Sequence, residues 1–322
     1  MRIVSLLASA TEIIAALGCM DQLVGRSHEC DYPEQVQQLP LISQVQIDID
    51  TSSAQIDAQV KQLAHRKAQE NPALQALSLY DIDIKKLQEV QPDLIFTQTQ
   101  CDVCAVSEQD VVQALSHIAD IQPRIVSLAP YRLQDIWEDI ARVGKVLKRE
   151  EQAEQLIQQY QQRLSRLQEQ VKIQRMGNNR PGPRVAILEW LDPLMGAGNW
   201  TPELVEIAGG SNVFGRNGEH SPWITWEALY QADPDIIILA PCGFTLKRTQ
   251  QDIPQLQQHP CWSKLQAVQQ NNIYAIDGNA YLNRSGPRLV DSAEILGKIL
   301  WNIDVQHPLE PRAWQKISVE MA

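Results

Sequence analysis

Short apolar, β-branched runs alternate along this chain with stretches whose apolar residues recur every three or four positions, which is the pattern of strands buried on both faces alternating with covering helices. Arg2 to Leu7 reads as a first strand, and Ser9-Ala10-Thr11-Glu12 opens a helix that a glycine, Gly18, stops. Leu23-Val24-Gly25 is a second strand ending in the polar loop Arg26 to Pro33. Residues 45 to 78 form a polar, helix-patterned surface excursion with Ile56, Val60 and Leu63 on one face and a break at Asn71-Pro72. Ser78 to Asp83 returns the chain to the core, a helix follows over Ile84 to Val90, and Asp93 to Phe96 is the next strand. A helix opening at Ser107, with its apolar face over Val111 to Ile118, leads to the strand Arg124 to Leu128.

After a helix over Leu133 to Leu147, residues 148–175 read as one long helix without internal Gly or Pro, about 40 Å in length. Met176 to Pro183, MGNNRPGP, is the strongest breaker in the chain. The second half repeats the layout: strands at Arg184 to Leu188, Ile236 to Leu239 and Asn272 to Ile276, helices starting at Thr201-Pro202 and Trp226, and a closing amphipathic helix from Pro287 to Trp301. The expected architecture is α/β, two Rossmann-like lobes with mostly parallel central sheets, joined by a single long helix. Its boundaries are 1–147 for the first lobe, 148–175 for the linking helix, 183–308 for the second lobe and 309–322 for a tail.

Composition narrows the function. The formal charge of −11 disfavours nucleic acid and anionic membrane surfaces as partners. No segment approaches the roughly 18 uninterrupted apolar residues of a membrane span. Met1 to Leu7 carries one positive charge but no sustained apolar run or small-residue cleavage site, so the chain reads as cytoplasmic as encoded. In a reducing compartment its six cysteines are free, metal-binding or redox-active rather than disulfide-bonded. No phosphate loop, dinucleotide fingerprint or Gly-x-Ser-x-Gly elbow is present, which lowers the odds of an enzyme.

The stretch TQTQCDVCAVS, residues 97–107, carries Cys101 and Cys104 at the carboxyl end of a strand, where open α/β sheets bind ligands. Two thiols at this spacing are half of a zinc or iron–sulfur site, and Cys30, Cys242 and His28 are the candidates to complete it. The alternative is a redox pair activated by the helix that Ser107-Glu108-Gln109-Asp110 would cap, although that helix begins three residues beyond Cys104. Against both stands the ordinary behaviour of a free Cys as a small buried hydrophobe, the reading preferred for Cys19 and Cys261. His28 and His220 in polar loops are ligands or solvated surface. Trp190, Trp200, Trp223 and Trp226 are ligand platforms or core, and Trp226 is expected in the core.

Several local sequences carry a family likeness: Arg2 to Leu6 at the opening, Ser9-Ala10-Thr11-Glu12, Asp31-Tyr32-Pro33, Pro92-Asp93-Leu94-Ile95, Trp200 to Val205 through Gly209 to Phe214, and Gly286-Pro287-Arg288. Together they resemble the cobalamin- and iron-chelate-binding class of periplasmic binding proteins, over roughly residues 1–305. The resemblance implies a ligand cleft between two lobes. It implies that Tyr32 and Trp190 face it as flat aromatic surfaces for a corrin or porphyrin, with Ser9, Trp200, Phe244, Tyr281, Asn283 and Arg288 as further ligand-binding positions. It also implies docking to an ABC permease through one acidic residue per lobe, here Glu108 and Glu227. The family is exported, whereas this chain shows no export signal and adds cysteines that transport does not require. Two functions therefore stand side by side: a protein binding cobalamin or a related metal chelate, and a metalloprotein, with or without enzymatic activity, holding zinc or an iron–sulfur cluster on Cys30, Cys101, Cys104 and Cys242.

Overall fold

A computed structural model describes residues 1–70, 79–100, 105–116, 118, 121–178, 181–305 and 309–318. The chain divides into two compact units: one of Met1–Thr51, Gln55–Pro130 and Gln134–Ile157, the other of Ser52–Ala54, Tyr131–Leu133 and Gln158–Ala322.

The first unit is built on a four-stranded sheet in the order β2-β1-β5-β6, from β1 (Ile3–Ser5), β2 (Leu23–Arg26), β5 (Leu94–Gln98) and β6 (Arg124–Leu128). All of its pairings are parallel. β1 and β5 are buried along their whole length, as strands covered on both faces must be. The helices are α1 (Ala8–Ala16), α2 (Ser53–Glu70), α3 (Ile84–Val90), α4 (Glu108–Leu115) and α5 (Leu133–Leu147). Val4, Leu6, Leu87, Ile95 and Val111 meet in one core, which Leu63 of α2 also joins. The apolar stripe within residues 45–78 is thus a packed face. A feature that the periodicity does not reveal is the small antiparallel pair β3 (Ser43–Val45) and β4 (Tyr80–Ile82). Three residues per strand carry too little alternation to register as a pattern.

Helix α6 (Glu150–Asn178) runs from the first unit into the second. Its 29 residues correspond to about 44 Å. Tyr160, Leu164, Leu167 and Val171 form its buried stripe, spaced by four, three and four. Met176-Gly177-Asn178, at the start of the breaker, belong to the helix, because no residue before Pro181 forbids helical backbone.

The second unit contains β7 (Arg184–Leu191), β8 (Leu194–Gly196), α7 (Thr201–Ile207), β9 (Ser211–Asn212), α8 (Trp226–Ala232), β10 (Ile236–Leu239), α9 (Leu246–Gln258), α10 (Gln266–Gln269), β11 (Ile273–Ile276), α11 (Leu289–Trp301) and β12 (Trp314–Lys316). The sheet order is β12-β11-β10-β7-β8, with β9 also on β7. The central pairs β7·β10 and β10·β11 and the β7·β9 pair are parallel. Both units are therefore α/β with mostly parallel sheets, linked by one long helix. Arg163 on α6 binds Asp291 at 2.5 Å and Glu294 at 2.7 Å on α11, a fork-shaped donor meeting two largely buried carboxylates. Gly209, which ends α7, has φ +78°, and a Cβ there would lie 2.2 Å from Cγ1 of Val171. Both the backbone angle and the close approach of α6 demand glycine.

Two readings of the second half require correction, and one helix there has no counterpart among the expected elements. The tail expected over residues 309–322 contains an edge strand, Trp314–Lys316, antiparallel to β11 and too short to show a period of its own. Glu189 to Leu191, expected beyond the strand end, extend β7: Trp190 and Leu191 pair with β8, and Glu189 lies at a shift in the register. Helix α9 contains Pro254, which hides its pattern, and Thr245 caps its start by accepting from the amide of Arg248.

Candidate functional site

The richest convergence of predicted residues lies in the second unit, at the carboxyl ends of its two central strands. Residues beyond β10 continue alongside β7: Ala240 donates its N–H to the Leu188 carbonyl and Cys242 donates to that of Glu189. This pairing brings the side chains of Trp190 and Phe244 together, with ring centroids 5.2 Å apart and planes tilted by 56°. The indole N–H of Trp190 is buried and has no acceptor among the described residues. Leaving a donor unmet costs about 1–3 kcal/mol, so it is a group that a ligand acceptor would satisfy. The Arg248 guanidinium lies 4.2 Å over the Phe244 ring and is paired with Asp252 at 3.0 Å.

The loop after β11 completes this surface. Asp277 organises it by accepting the backbone N–H groups of Asn279, Ala280 and Leu246. Burial nevertheless pushes the Asp277 carboxyl up, against these hydrogen bonds. Asn283 donates to the carbonyls of Ala240 and Gly278, tying the loop to the end of β10. Trp200 is buried and donates its indole N–H to the Leu282 carbonyl at 2.6 Å, so it fastens the loop from beneath. Tyr281 is buried with Arg288 5.6 Å from its ring, and burial raises its hydroxyl to about 12.

Three contributors carry no sequence signal strong enough to single them out. Arg248 and Arg284 belong to stretches whose spacing marks no site, and Arg284 is 9% exposed with a hydrogen bond to Asn279. Glu189, near the carboxyl end of β7, accepts from Ser221 at 2.8 Å, and Ser221 accepts from the amide of Gly198. Burial pushes the Glu189 carboxyl up despite the Ser221 hydrogen bond. The one hint of Glu189 is a carboxylate in an otherwise apolar strand end. Trp226 packs as expected, stacked on His259 at 4.0 Å and edge-on to Trp262.

The candidates of the first unit occupy a different setting. Ser9 is buried in the first turn of α1, and Tyr32 is 41% exposed. Cys30 is fully buried in a nest of hydroxyls: its sulfur accepts from Thr11 at 3.0 Å, lies 3.2 Å from Ser27 Oγ and is 3.6 Å from the Ser5 carbonyl. His28 contacts Ser43 Oγ through Nδ1 and packs 5.0 Å from Tyr80. Burial and the nearby Arg26 charge lower its pKa to about 4.

Cys101 and Cys104 lie outside the described residues. On either side, Thr97 donates to the Val106 carbonyl and Gln98 to that of Ala105, and Ser107 with Asp110 forms the reciprocal cap of α4. Cys19 and Cys261 are free thiols. Among the described residues no three His, Cys, Asp or Glu side chains converge as a metal site requires. The described residues therefore do not supply a zinc or iron–sulfur centre. Glu108 begins α4 and accepts from Ser127 at 2.5 Å, and Glu227 lies in the first turn of α8.

A family model described as periplasmic binding protein matches residues 3–280. The chain belongs to the periplasmic binding protein family. Among curated relatives, this family member is 21% identical to an ABC transporter substrate-binding lipoprotein of Bacillus subtilis, over 93% of this chain and 80% of the relative. It is 23% identical to a vitamin B12-binding protein of Pectobacterium atrosepticum, over 91% of this chain and 86% of the relative. Among solved structures, a periplasmic heme-binding protein from Pseudomonas aeruginosa superposes with a TM-score of 0.71 at 19% identity, covering 100% of this chain and 99% of that one. A periplasmic vitamin B12-binding protein of Vibrio cholerae gives 0.62 at 22% identity, covering 93% and 96%. At such identities the superpositions establish the fold. The two solved structures are described as periplasmic and the Bacillus subtilis relative as a lipoprotein, so the cytoplasmic expectation finds no support among them. Among the described residues no helix is long and apolar enough to cross a membrane.

Proposed function

We propose that this protein is a substrate-binding protein of the ABC-transporter type that captures a flat metal chelate, a cobalamin-like corrinoid or a heme. The observation that carries this reading is the Trp190–Phe244 ring pair at the carboxyl ends of two adjacent parallel strands, in a chain of the periplasmic binding protein family. Parallel α/β sheets use those ends for ligands, and two tilted aromatic faces cover a macrocycle at little cost in rotamer entropy. The unmet indole N–H of Trp190 adds a fixed donor for a polar group on the ring edge. Relatives named for vitamin B12 and for heme support the choice of ligand class. Glu227, at the start of α8, and Glu108, at the start of α4, are the proposed contacts with a permease.

Titration of the purified protein with cyanocobalamin and with hemin, followed by tryptophan fluorescence and by the ligand's visible spectrum, tests the reading. Saturable binding of at least one at a 1:1 ratio is expected, weakened about tenfold or more by Trp190→Ala. Failure of both ligands to bind the intact protein would sink it.

A further inference from the structure

The aromatic surface does not end at Trp190. Leu188 and Leu191 of β7 both lie in the core of the second unit, although strand residues three apart ordinarily face opposite ways. The register of β7 against β8 shifts between Leu188 and Trp190, and this irregularity leaves Trp190 on the face away from the core. Directly paired residues of adjacent strands share a face. Trp190 is paired with Met195 of β8, and Met195 in turn with Trp223, so the three stand in one row. Their chain neighbours Leu191, Leu194 and Ile224 pack on the core, which sets the row on the opposite face.

This row has a length and a middle. The Gly196 N–H donates to the Pro222 carbonyl and the Ile224 N–H to that of Leu194, so Met195 and Trp223 form the pair between hydrogen bonds, in which side chains approach most closely. Adjacent strands lie about 4.8 Å apart, which anchors the two indoles about 10 Å from one another with Met195 midway. Phe244 packs on Trp190 from the other side of β7, where β10 lies. Trp223 is 58% exposed, and Met195 is partly exposed between the indoles. A tetrapyrrole lying on the row covers both indoles and carries its metal over the residue between them. That residue offers a thioether, a soft ligand that prefers ferrous to the harder ferric iron and raises the potential of a heme it binds.

Resting on the chelate-binding function proposed above, we infer that Trp223 is a second wall for the macrocycle and that the Met195 thioether binds its metal. The cargo that fits this arrangement is an iron porphyrin with an open coordination position. In cyanocobalamin both axial positions of the cobalt are filled, so the thioether finds no site there.

Iron protoporphyrin IX and metal-free protoporphyrin IX separate the metal from the ring. Both are titrated into the intact wild-type protein, Met195→Leu and Trp223→Ala, followed by tryptophan quenching and the visible spectrum. Met195→Leu conserves volume and is expected to leave binding of the metal-free ring unchanged. It is expected to weaken ferrous heme about tenfold more than ferric heme, lowering the midpoint potential by about 59 mV, and to shift the heme spectrum as the iron loses its sulfur. Trp223→Ala is expected to weaken both porphyrins about tenfold. Equal effects of Met195→Leu on the two porphyrins, or an unshifted heme spectrum, would make Met195 a packing partner of the indoles and overturn the inference. Unchanged binding by Trp223→Ala would overturn it as well. If cyanocobalamin binds and neither porphyrin does, this inference fails while the chelate-binding function stands. If none of the three binds, both fail.

Discussion

Asp139, on α5 in the first unit, is a weak point in the electrostatics of the fold, being only 4% accessible to solvent. Its Oδ2 has no hydrogen-bond partner among the described residues, and Arg142, 3.9 Å from Oδ1, donates instead to the Ser127 carbonyl. Burial, aided by the like charges of Asp135 and Glu138 and opposed by Arg142, raises its pKa to about 7. A carboxyl raised in the folded state contributes stability that is complete below its unfolded value near 4 and is lost as pH climbs to about 7. A proton held more tightly by a factor of ten is worth about 1.4 kcal/mol, so the penalty above pH 7 is about 4 kcal/mol. Between pH 5.5 and 7.5 roughly 2 kcal/mol of it develops. Asp139→Asn keeps the shape and removes the titration. Comparing thermal unfolding of the two proteins over that pH range, the mutant is expected to gain about 2 kcal/mol relative to the wild type as pH rises. For a unit of about 150 residues this is roughly 4–8 °C. A difference between mutant and wild type that stays constant with pH would refute the argument, because a carboxylate ionised throughout has no proton to lose.

Two further outcomes are expected. His28, lowered to about 4, acts with the opposite sign: its stabilising contribution is complete above pH 6.5 and lost as pH falls towards 4, when the unfolded state takes up the proton. His28→Gln should therefore gain about 1.4 kcal/mol on the wild type for each pH unit between 6.5 and about 4, measured by urea unfolding; a flat difference would show that the imidazole takes up its proton in the fold as readily as in the unfolded chain. Gly209→Ala should destabilise the protein by about 2–4 kcal/mol in thermal unfolding, from a left-handed backbone and a methyl driven into Val171, and an unchanged melting temperature would mean that α6 yields there.

The long helix, the parallel strands and their order along the chain are written in the sequence, because buried strands and half-buried helices impose different periods on apolar residues. Ser107 as a cap and Gly209 as a stop are equally local. The site is legible only in part. Trp190 and Phe244 can be named from a family likeness, but their 5.2 Å approach depends on β10 continuing beside β7 past its last paired residue. Trp200 has the same chemical credentials as Trp190 and is spent on the Leu282 carbonyl instead. Cys30 has the credentials of a metal ligand and lies in a nest of hydroxyls. Arg248 and Arg284 stand out in no pattern, since an isolated charge has no period. Residue types and local spacing fix which elements form. Which side chains end up facing one another is set by strand register and loop closure between positions some 40 to 80 residues apart, and there the sequence pattern is silent.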